Sequence, residues 1–151
     1  MLGKLIATTP SRPGAILQER LIFADKSHAT RARVNHAMAI ARETDAGLTA
    51  WKTADLLGSV RRGILPGWRD ELHATIATTP RPTMVLWGSR DAVLPPAHLE
   101  NARKLIPHAE THLIPGVGHM PQLECASEFA ALITSFLQRN PVVELPQAAS
   151  Q

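Results

Sequence analysis

Residues 83–124 read TMVLWGSRDAVLPPAHLENARKLIPHAETHLIPGVGHMPQLE, and this stretch decides the fold. It opens with Thr83 to Trp87, a short apolar run that suits a strand buried on both faces of a parallel sheet. Apolar residues then recur at helical spacing from Pro96 to about Ile106, and Pro107 ends that helix. Thr111 to Ile114 form a second short strand. The order strand, helix, strand predicts a β-α-β unit and therefore an α/β fold.

Polar residues follow the end of each predicted strand. Asp91 lies just after Gly88 in a turn, and His119 follows Gly116 and Gly118 at the end of the second strand. Open α/β sheets hold their chemistry outside the carboxyl ends of the strands. The two strands of one β-α-β unit also end near each other. We therefore expect the side chains of Asp91 and His119 to face one another at this edge of the sheet.

The segments WGSRD (87–91) and PGVGHMPQLE (115–124) resemble the C-terminal part of the α/β-hydrolases, a superfamily of esterases, lipases, lactonases, epoxide hydrolases and relatives. In that family a strand ending in G-x-x-D provides the catalytic acid, and the next strand ends in G-H, which provides the catalytic histidine. The resemblance assigns these roles to Asp91 and His119, in the chain order Ser…Asp…His. Both motifs occur here in this order, with room for a helix and a strand between them.

The chemistry of the two side chains fits these roles. In the hydrolase triad the acid orients the imidazole, and the imidazole removes a proton from a nucleophile. Each residue also has a purely structural interpretation, with Asp91 as a turn residue that caps the following helix and His119 as a loop residue after a glycine-rich turn. Met120, beside His119, either lines a pocket or packs in the core.

The sequence does not contain the third member of a triad in its usual setting. A nucleophile elbow requires G-x-S-x-G, or an Asp or Cys variant, on a tight strand-to-helix turn. None of the serines has a glycine two residues before and two residues after it, and no HG or HGGG segment offers an oxyanion hole. In the family both features lie in the N-terminal half, before a strand that matches Leu2–Thr8. We therefore expect the acid and the base from this chain, no nucleophile, and no activity from the chain alone.

The resemblance implies a partial α/β-hydrolase fold, with about three parallel strands at one side of the sheet, flanking helices and a helical cap. Residues 1–14 are expected to form a strand and loop of the partial core, and residues 15–80 the cap. Residues 81–139 are expected to form the C-terminal core segment, and residues 140–151 a tail. On this mapping, Met1 lies in the middle of the fold.

The cap region is predicted to be all-helical, because apolar residues recur at helical spacing and no proline lies between Gly14 and Ile64. Thr30 and Asp45 are predicted to cap two of its helices. Helices are predicted at residues 31–42, after Asp45, at residues 68–76 and, beyond the motifs, at residues 126–138. The predicted apolar faces are Ile16, Leu17, Leu21 and Ile22; Val34, Met38 and Ala41; Leu48, Trp51, Ala54 and Leu57; and Phe129, Leu132, Ile133, Phe136 and Leu137.

Composition limits the class of protein. The chain has 151 residues, of which 44% are hydrophobic and 19% charged, as expected for a globular domain. A net charge of +3 without long basic runs gives little support to nucleic-acid binding. No apolar stretch is long enough for a membrane span, and the N-terminus lacks the pattern of a signal peptide. We therefore expect no membrane partner and a cytoplasmic location.

Other candidate sites receive structural interpretations. His108 and His112 form H-x-x-x-H, but strand signals surround His112, and on a strand the two residues would lie roughly 13 Å apart. The sequence therefore predicts no metal site and no cofactor. Cys125, the single cysteine, lacks the strand-turn-helix setting of a nucleophile and is predicted to be structural.

Two hypotheses for the function follow. In the first, the chain is the C-terminal part of an α/β-hydrolase, and the complete enzyme hydrolyses a small ester-like or related substrate. An N-terminal half-domain partner or self-association is then expected. In the second, the chain is a non-catalytic module derived from a hydrolase that binds a ligand or a protein partner.

Overall fold

A computed structural model describes residues 9–59 and 63–141. The α-helices are α1 (Arg12–Ile22), α2 (Arg31–Ala41), α3 (Ala46–Leu57), α4 (Pro66–Thr78), α5 (His98–Leu105), α6 (Pro121–Glu124) and α7 (Ala126–Arg139). The strands are β1 (Gly58–Ser59), β2 (Gly63–Ile64), β3 (Met84–Gly88) and β4 (Glu110–Ile114), and a short 3-10 helix covers Lys26–His28.

The central sheet pairs β3 with β4 in parallel, from Met84 opposite Glu110 to Gly88 opposite Ile114. Helix α5 lies between the two strands in the chain, so the predicted β-α-β unit is confirmed. Both predicted strands are present within one residue of their expected ends. The third predicted strand, Leu2–Thr8, lies outside the described residues.

The core beside this sheet is small. Leu99 of α5 and Ile114 of β4 are each 2% exposed, and Val117 in the following loop is 7% exposed. Leu105, one of the apolar residues that recur at helical spacing in the predicted helix, is half exposed. It is the last residue of that helix, where the turn toward Pro107 begins.

Helix α1 packs against α2 through a face of α1 that the sequence did not predict, whereas the buried residues of α2, Val34 and Met38, lie on its predicted face. The expected apolar face of α1 is exposed at Ile16, Leu17 and Leu21, and the buried residues are Ala15 and Glu19. Ala15 forms a cluster with Val34 and Met38 of α2. Glu19 tolerates burial because the Arg33 guanidinium donates to its carboxylate over 2.7 Å. That cross-helix ion pair turns the polar side of α1 inward, which periodicity alone cannot indicate.

The helix caps divide into predicted and unpredicted cases. Oγ1 of Thr30 accepts from the Arg33 amide over 3.3 Å, so its predicted N-cap role is confirmed. Asp45 occupies the N-cap position of α3, but its side chain makes no capping hydrogen bond there.

The prediction that residues 15–80 form an all-helical cap domain was wrong, because β1 and β2 form a short antiparallel pair after α3. Gly63 at the start of β2 has a φ angle of 69°, a conformation that glycine adopts without strain.

One face of helix α7 is half-buried. Phe129, Leu132, Ile133 and Phe136 are half-buried there, whereas Leu137 is 51% exposed. Arg139 at the end of α7 also pairs with Glu110 at the start of β4. Within residues 9–59 and 63–141, no helix has both the length and the apolar character needed to cross a membrane.

Candidate active site

The loops after β3 and β4 meet at the carboxyl edge of the sheet through close backbone contact. A Cβ atom at Gly88 would lie 2.0 Å from the carbonyl oxygen of Gly118 and 2.3 Å from that of Val117. The Arg90 amide also donates to the carbonyl of Val117 over 2.8 Å. Only a glycine at the end of β3 allows this close approach. The approach places the loop after β3 directly beside the loop after β4.

Asp91 sits in a tight turn after β3, and its side chain is 5% exposed. Its Oδ1 accepts hydrogen bonds from the Val93 amide (2.8 Å) and the Leu94 amide (2.9 Å). The Trp87 indole donates to the carbonyl of Leu94 over 3.1 Å, which ties this turn back to the strand. The interpretation of Asp91 as a turn residue therefore accounts for the contacts of Oδ1 but not for those of Oδ2.

The other oxygen, Oδ2, faces the ring of His119. Nδ1 of His119 and Oδ2 of Asp91 are 2.9 Å apart. A carboxylate can only accept, so Nδ1 carries the proton and Nε2 of the neutral ring holds a lone pair. Within the described residues Nε2 makes no hydrogen bond, and the His119 side chain is 31% exposed. The two residues selected from the sequence are thus brought together, and in the described part of the chain only Nδ1 of the ring has a hydrogen-bond partner.

The environment keeps Asp91 ionised. Burial alone raises the pKa of its carboxyl group. The hydrogen bond with His119 and those from the Leu94 and Val93 amides outweigh this effect, and the pKa of Asp91 lies below its ordinary value of 3.8. An ionised acceptor beside Nδ1 fixes the tautomer that a general base needs.

Glu124 is a residue of this site that sequence reasoning missed. Its Oε1 accepts from the Gly118 amide, and its Oε2 accepts from the amides of Ala24 and Asp25. The His119 amide itself donates to the carbonyl of Ile22 over 2.8 Å. The available signal was an acid at the end of the GHMPQLE motif, but its partners on the segment 22–25 are distant in the sequence.

The remaining candidate residues have structural contacts. His112 pairs with Glu110 over 2.7 Å, and within residues 9–59 and 63–141 no group of His, Cys, Asp or Glu side chains is arranged to hold a metal ion. Burial raises the pKa of the Cys125 thiol, with smaller contributions from Glu128 and Glu124, so the thiol is a poor nucleophile. Met120 is half-buried next to His119.

Known proteins resemble this chain in sequence. A profile of the family described as alpha/beta hydrolase fold matches residues 18–126. The dihydrolipoyllysine-residue acetyltransferase component of the acetoin cleaving system of Cupriavidus necator is 32% identical over 120 residues, which cover 78% of this chain and 29% of that protein. The pimeloyl-(acyl-carrier protein) methyl ester esterase of Xanthomonas campestris pv. campestris is 34% identical over 73 residues, which cover 48% of this chain and 29% of that protein.

Solved structures resemble the chain in fold. The meta-cleavage product hydrolase from Pseudomonas fluorescens IP01 superposes with a TM-score of 0.68 at 22% identity, over 87% of this chain and 47% of the hydrolase. The chain therefore spans about half the length of that structure and under a third of the two curated relatives. The profile match covers most of the sequence, and the superposition covers most of the fold. The chain belongs to the α/β-hydrolase fold family.

Proposed function

We propose that this chain supplies the acid and the base of a Ser-His-Asp type hydrolase acting on a small ester-like substrate. The nucleophile and the oxyanion donors then come from a polypeptide segment outside these 151 residues. The observation that carries the proposal is the 2.9 Å contact between Nδ1 of His119 and Oδ2 of Asp91, with no hydrogen bond to Nε2 from residues 9–59 or 63–141. Family membership supports hydrolysis, and the methyl ester esterase among the relatives supports an ester as the substrate class.

On this proposal each group has one role. Nε2 of His119 takes the proton of the nucleophile as that group attacks the ester carbonyl, and later gives the proton to the leaving alkoxide. Asp91 holds the ring in the Nδ1–H tautomer and stabilises the imidazolium that forms in between. Because the pKa of Asp91 is lowered, the carboxylate keeps its charge and the proton stays on the ring.

The chain alone is expected to show no saturable turnover of an activated ester such as p-nitrophenyl acetate. A general base without an aligned nucleophile and oxyanion hole loses most of the catalytic effect. Saturable turnover that disappears in His119→Ala would contradict this expectation, because another residue of the chain would then be the nucleophile.

Joining the N-terminal part of the Xanthomonas campestris esterase to this chain tests the proposal directly. We expect the hybrid to hydrolyse p-nitrophenyl acetate and to react with a fluorophosphonate probe. Both activities should fall by at least about 10³-fold in His119→Ala. The matched control is His108→Ala, which removes an exposed histidine from the loop after α5 and should leave both unchanged.

A hybrid that unfolds cooperatively but hydrolyses the ester no faster than its His119→Ala variant would contradict the proposal. The chain would then be better described as a non-catalytic binding module. Cooperative unfolding is the necessary check, because a misfolded hybrid would also be inactive.

A further inference from the structure

We propose that Glu124 is a positioning residue for His119, because its carboxylate ties the histidine loop to the segment Ile22–Asp25. This inference rests on the proposed function, since positioning matters only if His119 acts as the base. Within the described residues the Glu124 carboxylate makes no hydrogen bond to the ring of His119. It acts through the backbone amide of Gly118, the residue just before the histidine.

The contacts of Glu124 join two distant parts of the chain. Oε1 accepts from the Gly118 amide over 2.8 Å, on the residue just before the histidine. Oε2 accepts from the Ala24 amide over 2.8 Å and from the Asp25 amide over 3.1 Å. Charge-assisted hydrogen bonds of this kind are about twice as strong as neutral ones. One half-buried carboxylate therefore satisfies three backbone donors from two segments.

The segment on the far side of this contact is itself well anchored. Phe23, between Ile22 and Ala24, is 1% exposed, and the Arg33 guanidinium lies 4.8 Å from the centre of its ring. The histidine loop therefore gains a rigid neighbour rather than a mobile one. Direct contact adds to this, because the His119 amide donates to the carbonyl of Ile22.

The close packing of Gly118 shows how little space this junction leaves. A Cβ atom there would lie 2.5 Å from the Ala24 nitrogen and 2.8 Å from Oε1 of Glu124. On its other side the loop packs closely against Gly88 at the end of β3, so the loop has no space to move toward that strand. The backbone of His119 is thus held from both sides, and Glu124 supplies one of the two.

Asp91 does not depend on Glu124 in the same way. Its position is set by the Val93 and Leu94 amides and by the end of β3. Loss of the Glu124 contact should therefore shift the imidazole relative to a carboxylate that stays in place. The expected signature is a change in the tautomer of His119, and not only a fall in stability.

Glu124→Gln is the sharpest test, because it keeps the size of the side chain but leaves only one oxygen as an acceptor. The amide nitrogen of the new side chain would face a backbone donor on one of the two segments. The matched control is Glu128→Gln, which makes the same chemical change at an exposed acid in the first turn of α7.

The measurement is the pair of ring ¹⁵N shifts of His119 in the labelled 151-residue chain, at a pH where the ring is neutral. The wild-type protein should show mainly the Nδ1–H tautomer. In Glu124→Gln the ratio of Nε2–H to Nδ1–H should rise by about threefold or more, as expected for the loss of one hydrogen bond. Glu128→Gln should match the wild type. Urea unfolding of each variant separates this effect from a general loss of stability.

Each contrary result has its own meaning. A folded Glu124→Gln protein with the wild-type tautomer ratio overturns the positioning role and leaves the proposed function standing. A wild-type chain without a preference for the Nδ1–H tautomer overturns both. If Glu124→Gln does not fold, Glu124→Asp keeps the charge on a shorter side chain, and an unchanged ratio in that variant also overturns the positioning role.

Discussion

At the scale of single residues, Asp91 divides its two oxygens between structure and chemistry. Oδ1 closes the turn after β3 through the Val93 and Leu94 amides, while Oδ2 meets Nδ1 of His119. A residue with this double role cannot be replaced without affecting one of the two contacts. The division also allows the two contributions to be measured separately.

Asp91→Asn and Asp91→Ala should differ in a defined way. Asn retains an oxygen for the two amides but presents an NH₂ group to the ring, so the neutral His119 should change to the Nε2–H tautomer. Ala leaves both amides without an acceptor and should lower the free energy of unfolding by a further ~1–3 kcal/mol. Ring ¹⁵N shifts and urea unfolding measure the two effects. Equal stabilities of the two variants would show that the turn does not depend on this side chain.

The pKa of Asp91 predicts a pH dependence with a definite sign. Its pKa is lower in the folded protein than the ordinary value of 3.8, so the unfolded chain binds the proton more readily. The stabilising contribution is therefore fully present above that value and is lost as the pH falls through the folded pKa. The stability advantage of the wild type over Asp91→Asn should shrink from about pH 4 downward.

Urea unfolding of both proteins across this range checks the prediction. Two other acids also have lowered pKa values. Hydrogen bonds with Ser27 lower the pKa of Asp25. Hydrogen bonds with Arg139 and His112 lower the pKa of Glu110. Both groups occur in the wild type and in the variant, so their effects cancel in the difference. An advantage that stays constant with pH would contradict the assignment to Asp91.

The sequence was sufficient to select Asp91 and His119, because each follows a short strand within one local motif. Glu124 lies in the same motif, but its role depends on Ala24 and Asp25, which only the fold brings near. The buried position of Glu19 likewise depends on Arg33 across a helix interface. Asp91 and His119 were predictable although they are 28 residues apart, because each follows a strand end and a β-α-β unit brings those ends together. Glu19 and Arg33 are only 14 residues apart, but no sequence motif indicates that their helices meet there.

At the scale of elements, the carboxyl edge of the sheet is assembled by glycines as much as by the polar residues. Gly88 ends β3 directly beneath the histidine loop, in contact with the carbonyl oxygens of Val117 and Gly118. The short strands were predictable because their apolar runs are bounded by proline and glycine. The β1–β2 pair was not, since each strand has only two residues and no alternating pattern to recognise.

Gly88→Ala should destabilise the protein by about 1–3 kcal/mol, because the new methyl group would overlap backbone atoms that cannot turn away. The matched control is Gly67→Ala near the start of α4, where a Cβ would meet nothing within 4 Å. That change should be neutral or stabilising by roughly 0.4–1 kcal/mol. Thermal and urea unfolding compare the two variants, and equal effects would contradict the packing role of Gly88.

At the scale of the whole molecule, the described residues leave much apolar surface and sheet edge uncovered. Leu17 of α1 is 70% exposed, Leu56 of α3 is 74% exposed and Trp68 of α4 is 48% exposed. The parallel sheet of the described residues has only two strands, so each strand has one edge without a strand partner within residues 9–59 and 63–141. Uncovered apolar patches and open strand edges both favour association with another polypeptide.

We therefore predict that the purified chain self-associates or requires a partner polypeptide. Net domain stability is only about 5–15 kcal/mol, so apolar surface left in water is a substantial loss. Size-exclusion chromatography with light scattering should show concentration-dependent species larger than a monomer.

The double substitution Leu17→Lys and Leu56→Lys places charges at two of the most exposed apolar positions and should reduce association if those helix faces cause it. Association that persists unchanged in this variant would show that Leu17 and Leu56 do not cause it, and would leave the strand edges and other exposed apolar residues such as Trp68 as the contact. A monodisperse wild-type monomer that unfolds cooperatively above about 55 °C would contradict the prediction, because the small core around Leu99 and Ile114 would then be sufficient on its own.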